Sequence, residues 1–342
     1  IILLIISGSP YENWNQGGRW QSKLLPPFPV SEGEGTMGKY ILKRLVSTVI
    51  TVLAIITITF FLMRMIPGGP FDEMSQDMPQ ESLDAINERY HLNDPLIMQY
   101  FTYLGGLVKG DLGPSYRLPG VTVNDIIAQG FPVSAKVGLV AIGMILVFGI
   151  TLGIISALRQ GRSEEHLITF FTTLGVSVPG FVVATSILYV FSELLGVLPS
   201  NGLYSWKHYI GPVITISLFS LAFVIRLMSS NLKEVLEQDY IRTARANGLP
   251  EYRVIFKHAV RNAIIPVITY MGPTVGSILT GSFVVEQVFT IPGMGKYFVD
   301  SISSRDYTIL MGVTLFYAVI VVVMLFIVDL VYVLIDPRIR LK

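Results

Sequence analysis

Six uncharged apolar stretches punctuate the chain, at 45–63, 137–158, 167–191, 209–225, 263–285 and 309–328. Each falls within the roughly 17–25 residues that cross about 30 Å of hydrocarbon as a helix. They are apolar all round, without the polar face of a surface helix, so their pattern predicts membrane spans rather than helices lying on a soluble core. A seventh uncharged stretch, 95–108, has only 14 residues. It is predicted to lie at the interface or to pack on the outer face. The fold class is therefore all-α, a polytopic membrane protein with six transmembrane helices. In the long loop after the first stretch, Leu83, Ile86 and Tyr90 fall near helical spacing and predict one small extra helix.

Composition agrees with this pattern. Hydrophobic residues make up 51% of the chain and charged residues 14%, against about 25% charged in soluble globular chains. The net charge of +1 says little about partners, because the charges are segregated by side of the membrane. There is no cysteine, which excludes disulfides, thiolate metal sites and cysteine nucleophiles. With the N-terminus inside, the inner segments carry 15 Lys and Arg and the outer segments 8, spread over longer loops. The excess of inner cations predicts that both termini are cytoplasmic. The loop 64–136 is then extracytoplasmic, and holds nine acids against five bases.

The chain opens on Ile1, and its first apolar run is too short to span and lacks a basic flank. Residues 1–36 read as a non-native or disordered N-terminal extension. Glu32-Gly33-Glu34-Gly35, just before Met37, corresponds to purine-rich codons compatible with a bacterial ribosome-binding sequence, and Met37 reads as a natural start. The expected organisation is the first span with the long loop over 37–136, a five-helix core over 137–335, and a cytoplasmic tail over 336–342.

The most strongly charged segment between two spans is 226–262, with seven Lys or Arg and four acids. Inside it, Tyr240 to Pro250 alternates small residues with arginines. Ala244 and Ala246 favour helix, and Gly248-Leu249-Pro250 reads as a helix stop, Gly taking a left-handed cap and Pro unable to continue. The segment predicts a helical hairpin whose short cross-helix is smooth enough to dock into another protein's groove. An ordinary basic loop retained inside by its charge is the plainer reading.

The string "DYIRTARANGLPEYRVIFKHAVRNAIIPVIT" resembles the coupling loop of ABC-importer permeases, in the version used by oligopeptide and dipeptide permeases. The general form is Glu-Ala-Ala, three residues, then Gly; here Arg242, Thr243, Ala244 and Gly248 hold those slots, and the leading Glu is absent. "NDPLIMQYFTYLGGLVKGDLGPSY" and "TVNDIIAQGFPVSAKVG" resemble the outer loop of oligopeptide permease subunits of the B type, and "FFLMRMIPGGPF" extends the resemblance over 37–342. The resemblance implies a type I ABC-importer permease fold in the bacterial or archaeal inner membrane, with the first span wrapping a partner. It implies an ATPase-coupling loop at Tyr240, Arg242, Thr243, Ala244, Arg245, Ala246, Asn247 and Gly248. It also implies partners: a second homologous permease subunit, so that a heterodimer is expected, two cytoplasmic ABC ATPase subunits, and an extracytoplasmic peptide-binding protein. The implied substrate is an oligopeptide, with dipeptides, nickel chelates, glutathione and opines as alternatives. Neither nucleic acid nor a cofactor is called for.

Two spans are interrupted. Pro179 and Gly180 sit midway along the third, and Gly272, Pro273, Gly276 and Gly281 punctuate the fifth. Such residues are tolerated where neighbouring helices re-satisfy the backbone, and Gly allows close helix contact. They are candidates for a translocation pathway with hinges, and equally for ordinary packing. Glu286 lies in "SFVVEQVFTIPGMGKYF", which resembles the family's outer re-entrant segment through Glu286, Phe289, Pro292, Gly293 and Gly295. It is read as part of a structural plug or gate. Asp329 lies near the inner end of the sixth span, where snorkelling to the interface is the expected solution.

Enzyme motifs are absent. The residues around Lys296 do not form a phosphate-cradling loop, since no Ser or Thr follows the Lys, and there is no His-Glu-x-x-His. His91, His166, His208 and His258 are scattered without metal-ligand spacing. An importer permease driven by a separate ATPase is therefore the main reading. A membrane-embedded enzyme using Asp329 or Glu286 is the other class, and neither carboxylate has a mechanistic neighbour in sequence.

Overall fold

A computed structural model describes residues 37–65, 71, 79–89 and 91–335. The expectations for 1–36 and 336–342 lie outside the described residues, as does the side chain of Asp329. In chain order the helices are α1 (Met37–Met65), α2 (Gln80–Arg89), α3 (Leu96–Val108), α4 (Val123–Leu158), α5 (Ser163–Ser177) and α6 (Gly180–Ile187). After them come α7 (Lys207–Leu236), α8 (Asp239–Ala246), α9 (Ile265–Leu279), α10 (Phe283–Val288), α11 (Met294–Ser303) and α12 (Tyr307–Ile335). Wide π-turns follow α6, over Leu188–Leu194, and lead into α9, over Val254–Ala259. Among the described residues the extended pairing is confined to one isolated bridge, Pro114 with Thr122.

Five helical spans are long and apolar enough to cross a membrane, and a sixth is a bent pair. That sixth is the predicted third span. It is not one straight helix: Ser163–Ser177 and Gly180–Leu194 meet at 103°. Val178 is extended (ψ 124°) because the ring of Pro179 disfavours the helical region for the residue before it, and Pro179 then starts α6.

Two predicted boundaries also move. α4 begins at Val123, well before the expected 137, so part of the presumed outer loop belongs to the core. A capping box starts it: the Thr122 hydroxyl accepts from Asp125 N–H and the Asp125 carboxylate accepts from Thr122 N–H. Val123, Ile126, Gly130, Ser134, Val137, Gly138, Ala141 and Ile145 then continue one buried helical stripe. Likewise α7 runs on to Leu236, so 226–236 is helix continuous with a span rather than loop.

The core centres on α4 against α7. Gly149 and Gly153, four apart on α4, meet Val224 and Met228, four apart on α7; a Cβ on Gly153 would lie 2.6 Å from Met228 Cβ and 3.0 Å from the Ile225 carbonyl. Such small-residue seams replace the hydrophobic driving force that lipid does not supply between helices. α9 and α12 close the other side, with Gly272 against Val328 and Gly276 against Val321. α1 packs on α12 and on α3, where Phe60 meets Tyr100 and Tyr103 at ring distances of 5.3 and 6.0 Å and Thr57 shares a 2.7 Å hydrogen bond with Tyr100. The short apolar stretch is thus packed on the first span.

Gly153→Leu is expected to destabilise the purified protein by about 1–3 kcal/mol through overpacking. Gly143→Leu, on the same helix, serves as control and leaves thermal unfolding nearly unchanged, because a Cβ there would meet nothing within 4 Å.

Candidate functional site

α8 is a two-turn helix at the end of the bundle where α4 and α7 finish. Its C-terminus is closed by a complete Schellman motif: Gly248 N–H donates to the Arg245 carbonyl (3.0 Å) and Leu249 N–H to the Ala244 carbonyl (3.3 Å). Gly248 has φ +74°, where a side chain is strained, as the sequence anticipates. Ile241 and Ala244 are turned inward, at 0% and 8% exposure, into the main core beside Leu232, Val254 and Ala259. Tyr240, Arg242, Thr243, Arg245, Ala246, Asn247 and Gly248 face outward. The expectation that Ala244 lies on a docking surface is therefore corrected: it anchors α8 to its own bundle, because one face of an amphipathic helix at a bundle's end must bury its apolar positions.

Polar contacts hold α8 at a defined angle. Asn262 Nδ2 donates to the Tyr240 hydroxyl at 2.7 Å, tying the helix to the run that leads into α9. Arg245 forks onto Glu251 through Nη2–Oε1 at 2.6 Å and Nε–Oε2 at 3.2 Å. Beside it, Lys233 near the end of α7 pairs with Glu165 at the start of α5, and the Glu165 carboxylate also accepts from Gly161 N–H at 2.6 Å.

The candidate pathway residues do not form one cluster. Pro179 and Gly180 make the break between α5 and α6. Gly272 and Gly276, flanking Pro273 within α9, are in close contact with α12. Gly281 and Glu286 come together at the opposite end of the bundle from α8. There the Glu286 carboxyl is buried and takes two donors: Ser134 Oγ from α4 at 2.6 Å, and Gly295 N–H at 2.7 Å. The Ser134 hydroxyl accepts in turn from Met294 N–H at 2.9 Å. The carboxyl and hydroxyl together therefore cap the orphan N–H groups of α11, which is why a polar group is tolerated there. Gly293 and Gly295 leave the room: a Cβ on Gly293 would lie 2.5 Å from Ser134 Oγ and from Glu286 Oε2.

Sequence reasoning missed a second clasp nearby. Asp306, fully buried, caps α12 by accepting from Ile309 N–H at 3.2 Å. Its other oxygen accepts from Ser115 Oγ (2.5 Å) and Arg117 N–H (3.1 Å), while Arg117 Nε donates to the Ser304 carbonyl at 2.6 Å. The available signal was local: Asp306 directly precedes the apolar run of α12, where an N-cap belongs. Ser134 carried none. Among the described residues no group of three or more His, Asp or Glu could hold a metal ion.

The chain is thus an all-helical bundle of spanning-length helices, with an amphipathic helix exposed on one face at one end and a hairpin clasped by buried hydrogen bonds at the other. Comparison with known proteins identifies the family. The family model for "Binding-protein-dependent transport system inner membrane component" matches residues 149–341, and that of the corresponding N-terminal region matches 37–135. The chain belongs to this family, the inner-membrane permeases of ATP-binding-cassette importers. It is 46% identical over 307 residues, 89% of this chain and 99% of the relative, to the dipeptide transport system permease protein DppB of Bacillus subtilis. It is 42% identical over 309 residues, 89% of this chain and all of the relative, to the oligopeptide transport system permease protein OppB of Haemophilus influenzae. The DppB of Lactococcus lactis is 39% identical over 305 residues, again 89% of this chain and all of the relative.

Glu286→Ala is expected to lower stability by about 1–3 kcal/mol, leaving buried donors unpaired, with Glu286→Gln milder because its amide still offers an acceptor to Gly295. Thermal unfolding of both variants checks this. The pair between Arg245 of α8 and Glu251 has a pH signature. The hydrogen bond and charge of Arg245 hold the exposed Glu251 carboxyl below its ordinary value. A carboxylate lowered in the folded state stabilises above its unfolded pKa and loses that contribution as pH falls through the folded one. Protection of the α8 amides, taken relative to their intrinsic exchange rates at each pH, should therefore be flat around neutrality and fall below about pH 4, and Glu251→Gln should remove the step.

Proposed function

We propose that this chain imports oligopeptides as the permease subunit of a binding-protein-dependent importer, with α8 receiving the motion of separate ATPase subunits. The single observation that carries the coupling role is the geometry of α8. One face is locked into the core through Ile241 and Ala244, and the other, with Tyr240, Arg242, Thr243, Arg245, Ala246, Asn247 and Gly248, is open to a partner. A displacement applied to that open face passes into α7 and into the run 251–263 without slack. On this reading the end bearing α8 and both termini face the cytoplasm, in line with the Lys and Arg asymmetry. Two cytoplasmic ATPase subunits dock there.

The opposite end, with the Glu286 and Asp306 clasps, then faces the extracytoplasmic peptide-binding protein. The α10–α11 hairpin acts as a gate hung on α4, and the break at Pro179-Gly180 and the seams at Gly272, Pro273 and Gly276 let spans shift around the pathway. Six spans enclose half a pathway, so a second, homologous permease subunit completes it as a heterodimer; the membrane is that of a bacterial or archaeal cell. Oligopeptides are favoured by the resemblance of the outer loop and by the 42% identity to an OppB. Dipeptides are the second reading, favoured by the 46% identity to a DppB.

Deleting the subunit should abolish growth on peptides as the source of a required amino acid and confer resistance to toxic tripeptides. Unchanged tripeptide uptake with loss of dipeptide uptake alone would support the dipeptide reading. For coupling, Gly248→Val and Ala246→Trp should leave membrane insertion near normal while peptide transport and co-purification of the ATPases fall sharply. Ala244→Asp should instead loosen α8 itself, seen as rapid hydrogen exchange. Full transport and full ATPase association in both Gly248→Val and Ala246→Trp would overturn the role of α8.

A further inference from the structure

The link between the π-turn after α6 and the start of α7 is unlike a water-exposed loop. None of the residues between Glu193 and Lys207 is charged. Yet the segment presents a dense apolar surface: Tyr204 is 90% exposed and Trp206 70%, with Leu194, Leu195 and Val197 also exposed. It is nevertheless ordered. Val197 and Leu198 N–H both donate to the Phe191 carbonyl, at 2.9 and 3.0 Å. Gly202 N–H donates to the Phe289 carbonyl at 3.2 Å, and Leu198 and Leu203 pack against the cluster of Ile187, Val285 and Phe289. Irregular backbone that folds back on itself in this way suits a medium poor in water. Past the exposed Glu193, further exposed apolar residues, Tyr189 and Phe191, belong to the bent span. At its far edge stand Trp206 and Lys207, an aromatic and a cationic group that favour headgroup level.

We propose that 194–206 is an interfacial lobe seated at the headgroup–acyl boundary of the leaflet opposite α8, with phospholipid as its occupant. The nearby apolar surface of the bent span argues for lipid. The exposed aromatics Tyr204 and Trp206, followed directly by Lys207, are the groups that sit at a membrane–water boundary. The lobe fixes the depth of the α6–α7 connection. Because Gly202 bonds the Phe289 carbonyl, it also fixes the α10–α11 hairpin to the membrane surface.

The test uses the complete transporter in phosphatidylcholine vesicles without its binding protein. A phosphatidylcholine bearing a diazirine near the headgroup is photolysed, and adducts are mapped by mass spectrometry of this chain. Adducts are expected within 194–206, and Leu194→Asp with Val197→Asp should reduce them several-fold. The absence of cysteine gives an independent readout: Tyr204→Cys should react with a water-soluble maleimide on the order of tenfold more slowly than Asn93→Cys, an exposed position on the same side, as interfacial insertion requires. No adducts, with Tyr204→Cys reacting as fast as Asn93→Cys, would place the lobe in water and overturn the proposal. Protection that arises only on adding the purified binding protein would overturn it in favour of a protein-docking face.

Discussion

Everything in this bundle depends on α4 and α7 approaching closely enough to pack backbone against side chain. In lipid the apolar surface of a helix gains little by leaving its surroundings, so the association rests on van der Waals fit. Gly149 and Gly153 supply that fit by admitting Val224 and Met228. The same helices then place everything else: α4 carries Ser134 to the clasp at one end, and α7 delivers the chain directly into α8 at the other.

The two ends solve the same electrostatic problem in different ways. Helix termini leave backbone groups without partners, and near lipid those groups must be met inside the protein. At the far end they are met by tertiary capping, Glu286 with Ser134 on α11 and Asp306 on α12, so that each cap is also a cross-link between distant segments. At the α8 end the cap is local, through Gly248, and leaves the outer face of the helix uncommitted. The coupling role proposed for α8 rests on that asymmetry. A surface can transmit force only if one side is fixed and the other is free to be gripped.

The helical ladder is broken at Pro179 and widened at the two π-turns, Val254–Ala259 beside α8 and Leu188–Leu194 toward the other end. The chain changes direction at the first of these, by 103°. The rigid seams between α4 and α7 and between α9 and α12 lie elsewhere, so the molecule separates stiff contacts from points where the backbone bends.

Much of this was legible in the chain by itself. Uncharged stretches of spanning length set the class, because hydrocarbon thickness fixes how many apolar residues a helix needs. Lys and Arg placement suggested the orientation, and the local chemistry of Gly248, Leu249 and Pro250 announced where α8 stops, because a left-handed cap is a property of a few consecutive residues. What only the tertiary structure decided is everything that depends on which face of a helix meets a neighbour. Periodicity could not say that Gly272 and Gly276 seat against α12, or that the third span folds through a right-angle bend. In all-round apolar helices there is no polar face to orient them. Nor could sequence pair Glu286 with Ser134, 152 positions away. A buried carboxyl is intelligible only once the donors that surround it have been brought together by the fold.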